Sequence, residues 1–254
     1  MKIQLMSDLH LEFGSKFTFE KRKDTILVLA GDIHSDMGEL KNFVTYACKN
    51  YAHVIMVAGN HEHYGGEYFD TLRTIKSFGF NLLNFHFLEN ETVTLAGTVF
   101  IGATLWSQPS FATFERISDG QYIKFNASGR RLATCEQHPY ITNNNVFDLN
   151  KYSSEYIKHT LSEMTEAEDD SPVCLITHFG PDESLCGPEW EGNSLNDYFW
   201  AKGFGEYVHK ADFWLFGHTH SSVDTTIDSC RFICNPYGYE NCAVNRNFIF
   251  DLEV

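Results

Sequence analysis

The sequence predicts an α/β protein in which a pair of β-sheets is sandwiched between helices, and three observations lead there. Short apolar runs that read as buried strands alternate with helix-period segments in both halves of the chain. Each half then passes into hairpin-like β segments, a pattern that suits stacked sheets with helices on the outside. Finally, five of the apolar runs (Ile3 to Met6, Ile26 to Ala30, Val54 to Ala58, Val173 to Ile176, Phe213 to Phe216) each lead into Asp, His or Asn. In open α/β sheets the strand ends line the ligand crevice, so five segments deliver polar side chains to one place.

In chain order, the first part reads as strand 3–6, strand 25–30, helix about 37–50, strand 53–58, helix about 67–78 and strand 82–87. An antiparallel pair, 92–95 and 98–102, turns around Ala96-Gly97. Residues 107–150 break the rhythm with aromatic residues, several Arg and Asn143-Asn144-Asn145, a composition suited to a cap-like excursion over the site rather than a separate domain. One domain, 1–254, is therefore expected. From about 151 an acidic helical segment runs to Asp170. Strand 173–177 follows, then a long loop and helix at about 181–210, strand 213–216, and a β-rich end at 223–227, 231–234 and 247–253.

Composition narrows the function classes. With 254 residues and 43% apolar content the chain can bury a sizeable core. No apolar stretch is long enough to span a bilayer and no signal-peptide core precedes the first strand, so a cytoplasmic protein without a membrane partner is expected. Seven scattered cysteines in mostly apolar contexts read as reduced core thiols, and Cys230 with Cys234 lacks a second pair at zinc spacing. A net charge of −15 disfavours gripping long nucleic acid. Any positive potential in a pocket must then come from something bound inside it.

Asp8, His10, Asp32, Asn60, His178, His218 and His220 have metal-ligand chemistry. Oxygen and imidazole donors of this mix suit manganese, iron, zinc, nickel or magnesium, with manganese the first expectation. Seven are too many for one mononuclear centre. Two divalent ions about 3.5–4 Å apart can share a carboxylate and a hydroxide and clamp both the attacking and leaving oxygens of a phosphoryl displacement. Two carboxylates cancel half of the ions' charge, leaving roughly plus two to attract a phosphate ester.

In order, Asp8-Leu9-His10, Gly31-Asp32, Gly59-Asn60-His61-Glu62, His178 and Gly217-His218-Thr219-His220 resemble the motifs of the calcineurin-like metallophosphoesterases. The resemblance implies a four-layer αββα sandwich of two mixed sheets. It implies Asp8, His10 and His220 on one metal, Asp32 bridging, and Asn60, His178 and His218 on the other. His61 would contact the phosphate and protonate the leaving group. One departure stands out: Ser35 occupies the position where family phosphatases carry the carboxylate that orients this histidine, so His34, Asp36 or Glu62 is expected to substitute. The Arg that follows in protein phosphatases is also missing, which argues against a phosphoprotein substrate. Asp8-Leu9-His10-Leu11-Glu12-Phe13, Gly102-Ala103-Thr104-Leu105-Trp106 and Cys234-Asn235-Pro236-Tyr237-Gly238-Tyr239 are similar to a branch of small bacterial and phage phosphohydrolases.

Around the centre, Tyr64 and Trp106 are candidate walls for a flat group, and Arg130 and Arg131, with Arg116, are candidates for a second phosphate. The expected reaction is hydrolysis of a small, nucleotide-type phosphodiester by a metal-bridging hydroxide. A phosphomonoesterase is the alternative. A nuclease acting on DNA or RNA ends would need a basic groove, and an inactive scaffold would be expected to lack some of the seven ligands.

Overall fold

The computed structural model describes residues 1–14, 17, 18, 20–125, 139–239 and 249–251. The first half contributes β1 (Lys2–Met6), β2 (Arg22–Ala30), α1 (Met37–Asn50), β3 (Tyr51–Val57), α2 (Tyr68–Phe78) and β4 (Phe85–Phe87). Next come β5 (Glu91–Leu95), β6 (Thr98–Ala103), the short helices α3 (Phe111–Phe114) and α4 (Asp119–Tyr122), and α5 (Asn143–Glu166). The chain continues through β7 (Val173–Thr177), β8 (Phe213–Phe216), β9 (Val223–Ile227), β10 (Cys230–Cys234) and β11 (Ile249–Asp251).

Two mixed sheets result. One has the order β11-β1-β2-β3-β4, with β1 to β4 parallel and β11 antiparallel. The other has the order β5-β6-β7-β8-β10-β9, parallel from β6 through β10 with antiparallel edges. Alternation along each strand explains the stacking. Ile3, Leu5, Val28 and Ile55 meet Phe100, Ile176, Leu215 and Ile233 between the sheets. The opposite faces carry Leu27, Leu29 and Met56 against α1 and α2, and Leu175, Trp214 and Phe232 against Ile157 and Leu161 of α5. Strands buried on both faces are apolar at nearly every position, which is why they stand out as near-continuous runs.

Several boundaries move. Helix α5 starts at Asn143 rather than near 151, because Thr142 and Asn145 form a reciprocal capping box. The asparagine run is thus a helix start. Residues 181–210 contain no α-helix, only single 3-10 turns at Glu183–Leu185, Pro188–Trp190, Asn196–Tyr198 and Val208–Lys210. Gly187-Pro188, Gly192, Gly203 and Gly205 interrupt any longer helix there. The strand expected from 82 begins at Phe85, after a turn that leaves Leu83 exposed. Cys48, Cys174, Cys230 and Cys234 are buried free thiols, held up by burial. Among the described residues no helix is long and apolar enough to cross a membrane.

The excursion packs a satellite core of its own. Phe114, Ile117, Ile123, Ile141 and Val146 surround Trp106 and Tyr68 beside Phe179 and Tyr198. Asn150 of α5 ties it down, donating to the Trp106 carbonyl and accepting from Gln108 at 2.7 Å.

Candidate metal centre

All the parallel strands of the first sheet run the same way, so the exits of β1, β2 and β3 lie at one edge, and the exits of β7 and β8 meet them from the second sheet. The seven predicted side chains converge there. The donor atoms of Asp8, His10 and His220 form one group and those of Asp32, His178 and His218 another. His220 Nε2 lies 3.4 Å from Asp8 Oδ1 and 3.2 Å from His10 Nε2. His178 Nε2 lies 3.2 Å from His218 Nδ1, 3.2 Å from Asn60 Oδ1 and 3.4 Å from Asp32 Oδ2. Asp32 Oδ2 is also 3.8 Å from His10 Nε2, which puts this one carboxylate between the two groups.

The backbone is strained to achieve this. Asp8, His10, Asp32, His218 and His220 all have positive φ, between 43° and 67°. Asp and His tolerate the left-handed region better than bulkier residues, and such outliers persist only where surrounding contacts hold them. Glycine completes the turns: a Cβ at Gly59 would run into Asp32 Oδ1, and one at Gly217 would meet Ala30 O and Asp8 Oδ2 at 2.8 Å.

Outer contacts aim the inner atoms. His178 Nδ1 lies 2.9 Å from the Ala30 carbonyl, so Nδ1–H donates there and Nε2 is the nitrogen turned inward. Asn60 donates through Nδ2 to Asp119 at 3.1 Å and to the Tyr64 and Tyr198 hydroxyls at 3.2 Å, so its Oδ1 is the atom turned toward His178. Asp119 in turn accepts from both tyrosines at 2.8 Å. Glu62 is a brace: it accepts the backbone N–H groups of Asp32, Ile33, His34 and Gly59. The Asp8 carboxylates receive the His218 N–H at 3.0 and 3.1 Å.

The electrostatics suit cations. Burial pushes the Asp8 carboxyl up, but His220 and His178 outweigh it and hold the group at about 2. Asp32 is likewise held well below the usual range, burial being overcome by His178 and His61. Burial drives His218 down, whereas for His178 the Asp32 and Asp8 charges overcome burial and raise it to about 9. Imidazole nitrogens facing each other at 3.2 Å, as in His10–His220 and His178–His218, oppose their lone pairs unless a proton or cation lies between. This donor set therefore fits divalent metal.

The residues around the centre divide. His61 is buried beside it, stacked on Tyr64 at 4.2 Å, with its backbone N–H on Asp32 Oδ1 at 2.8 Å. Burial lowers His61, but Asp32 and Glu12 together raise it. Trp106 is fully buried among Phe179, Tyr68 and His63, so it is core and not a wall that a ligand can reach. Arg116 is turned to Ser194, and Arg130 and Arg131 lie outside the described residues. None of the three expected partners orients His61. Asp36 caps α1, His34 accepts from the Asp36 N–H, and Glu62 braces the backbone. The side chain on His61 Nδ1 is Glu12, at 2.9 Å. Glu12 and Tyr239 stand inside segments similar to the phosphohydrolase branch but with no role attached to them, and nothing in the local sequence of Asp119 or Tyr198 marks a fold that brings them there.

The family model for calcineurin-like phosphoesterases matches residues 1–222. The chain belongs to that family and is a metal-dependent phosphoesterase. An uncharacterized protein of Acanthamoeba polyphaga mimivirus is 26% identical over 272 residues, covering 96% of this chain and 94% of its own. The fold is similar to that of a phosphopantetheinyl hydrolase from Mycobacterium tuberculosis, with TM-score 0.64, 16% identity, and coverage of 95% of this chain and 90% of that one. It is also similar to a protein described as a 5'-nucleotidase from Staphylococcus aureus, with TM-score 0.51, 14% identity, and coverage of 92% of this chain and 48% of the other.

Proposed function

We propose that the protein hydrolyses a small, nucleotide-type phosphodiester at a binuclear centre. In this reading Asp8, His10 and His220 would hold one ion and Asn60, His178 and His218 the other, with Asp32 placed to serve both. The observation that carries it is the place of Asp32 Oδ2, within 4 Å of a histidine from each group. Two divalent ions bound there, manganese first among the candidates, would supply Lewis acidity to the phosphoryl oxygens and lower the pKa of the attacking water. Water forms the new P–O bond in line as the bond to the leaving oxygen breaks. His61 gives its Nε2 proton to that oxygen while the attacking water loses one to solvent, from which His61 is later reprotonated, so that a diester yields a monoester and an alcohol. The diester and nucleotide parts of the reading draw support from the rim, where Phe13, Tyr122 and Tyr239 are each more than half exposed and offer flat faces.

The test is a substrate panel with the manganese-loaded protein: bis-p-nitrophenyl phosphate, p-nitrophenyl phosphate, cyclic nucleotides, mononucleotides and short single-stranded oligonucleotides. Faster cleavage of diesters than of monoesters is expected, and the reverse order would make the protein a phosphomonoesterase. Asn60→Ala and His218→Ala are each expected to lower kcat by about a hundredfold or more and to reduce bound metal below two ions per chain. Full rates in both variants would remove the ligand assignment.

A further inference from the structure

The ring of His61 is held at both nitrogens. Glu12 Oε1 lies 2.9 Å from Nδ1, and the Tyr239 hydroxyl lies 2.9 Å from Nε2. Glu12 arrives from the single turn Leu11–Phe13 directly after His10, whose left-handed backbone redirects the chain as it leaves β1. The same Oε1 is 3.4 Å from His10 Nδ1, a longer contact, while Oε2 is buried with no hydrogen-bond partner among the described residues. Oε1 thus meets two imidazoles, with the shorter contact on His61.

We infer that Glu12 is the positioning residue for His61. Accepting from Nδ1–H, it fixes the ring plane and keeps Nε2 as the nitrogen that faces the leaving oxygen. The work falls to a side chain from the exit of β1 because Ser35 offers no carboxylate after β2. During the reaction the proton leaves Nε2 for the leaving oxygen, Nδ1–H stays on the ring, and Glu12 is unchanged. The inference rests on His61 acting as leaving-group donor in the reading above.

The experiment compares wild type, E12Q, E12D, H61N and the E12Q/H61N pair, all manganese-loaded, on a p-nitrophenyl diester and its phenyl counterpart, with bound manganese measured by elemental analysis. In E12Q, kcat on the phenyl ester is expected to fall roughly tenfold to a hundredfold, with KM within about twofold. The loss should be smaller on the nitrophenyl ester, whose leaving group needs less help from a proton. In the H61N background E12Q should cost nothing further, since both changes remove the same contribution. Bound manganese should be unchanged, and E12D, which keeps the charge, should retain more activity than E12Q. Equal losses on both esters, a full additional loss in the pair, or a drop in bound manganese would overturn the inference, the last by showing that Glu12 acts through His10. An H61N protein with undiminished turnover would remove His61 and Glu12 together. A crippled H61N beside an unaffected E12Q would remove Glu12 alone.

Discussion

His220 shows what the site demands of a single residue. It holds φ at 56° on a turn whose neighbour His218 holds 67°, and both strains serve only to aim imidazoles inward. Glycine carries no penalty in this region, whereas L-residues pay about 1–2 kcal/mol. In metal-free protein His220→Gly is therefore expected to be more stable than His220→Ala by about 1 kcal/mol in denaturant unfolding, with both variants inactive. Equal stability would mean that the left-handed turn is not strained. At this scale the sequence was most legible for the inward-facing atoms, because Asp, Asn and His at strand ends have few structural uses. It was least legible for what lies behind them. Glu62 sits inside a motif that marks it as important, but only the fold shows it on four backbone N–H groups instead of on His61. Glu12 and Asp119 reach their partners across 49 and 59 residues, and no local pattern encodes such a meeting.

Helix α5 illustrates the scale of elements. Its first turn is set by Thr142, which accepts from the Asn145 N–H while Asn145 Oδ1 accepts the Thr142 N–H at 2.9 Å. Thr142→Ala should cost about 1 kcal/mol of stability. Because Asn150 on this helix anchors the excursion that carries Asp119, the loss should appear first as faster hydrogen exchange in residues 104–125, ahead of the sheets. Uniform exchange across the molecule would count against that coupling. Strands β7 and β8 were read at their observed bounds because both of their faces are buried, which leaves no polar interruption to blur the ends. Residues 181–210 resisted the same reading, since their turns are dictated by glycine, proline and side-chain caps such as Asp182, not by hydrophobic period.

For the molecule as a whole, four of the seven converging residues come from positions 8–60 and three from 178–220. The hydrogen bonds from the His218 N–H to Asp8 span 210 residues. Joining such distant segments is slow relative to local structure. Refolding from denaturant is expected to restore far-ultraviolet dichroism before metal-dependent turnover, and chelation of the folded protein is expected to lower its Tm. Simultaneous recovery of both signals, or a Tm indifferent to chelator, would disprove the dependence of the centre on late docking of the two sheets. The pairing of β11 with β1 has its own effect on how the chain comes into being. Lys2, Ile3 and Gln4 pair with Asp251, Phe250 and Ile249, which follow β1 to β10 in chain order among the described residues. Until β11 has been made, one edge of β1 is an unpaired ladder of N–H and C=O groups, open to mispairing with another chain. The strand that carries the chain into Asp8 and His10 thus keeps that edge open to aggregation until β11 has been made and has docked.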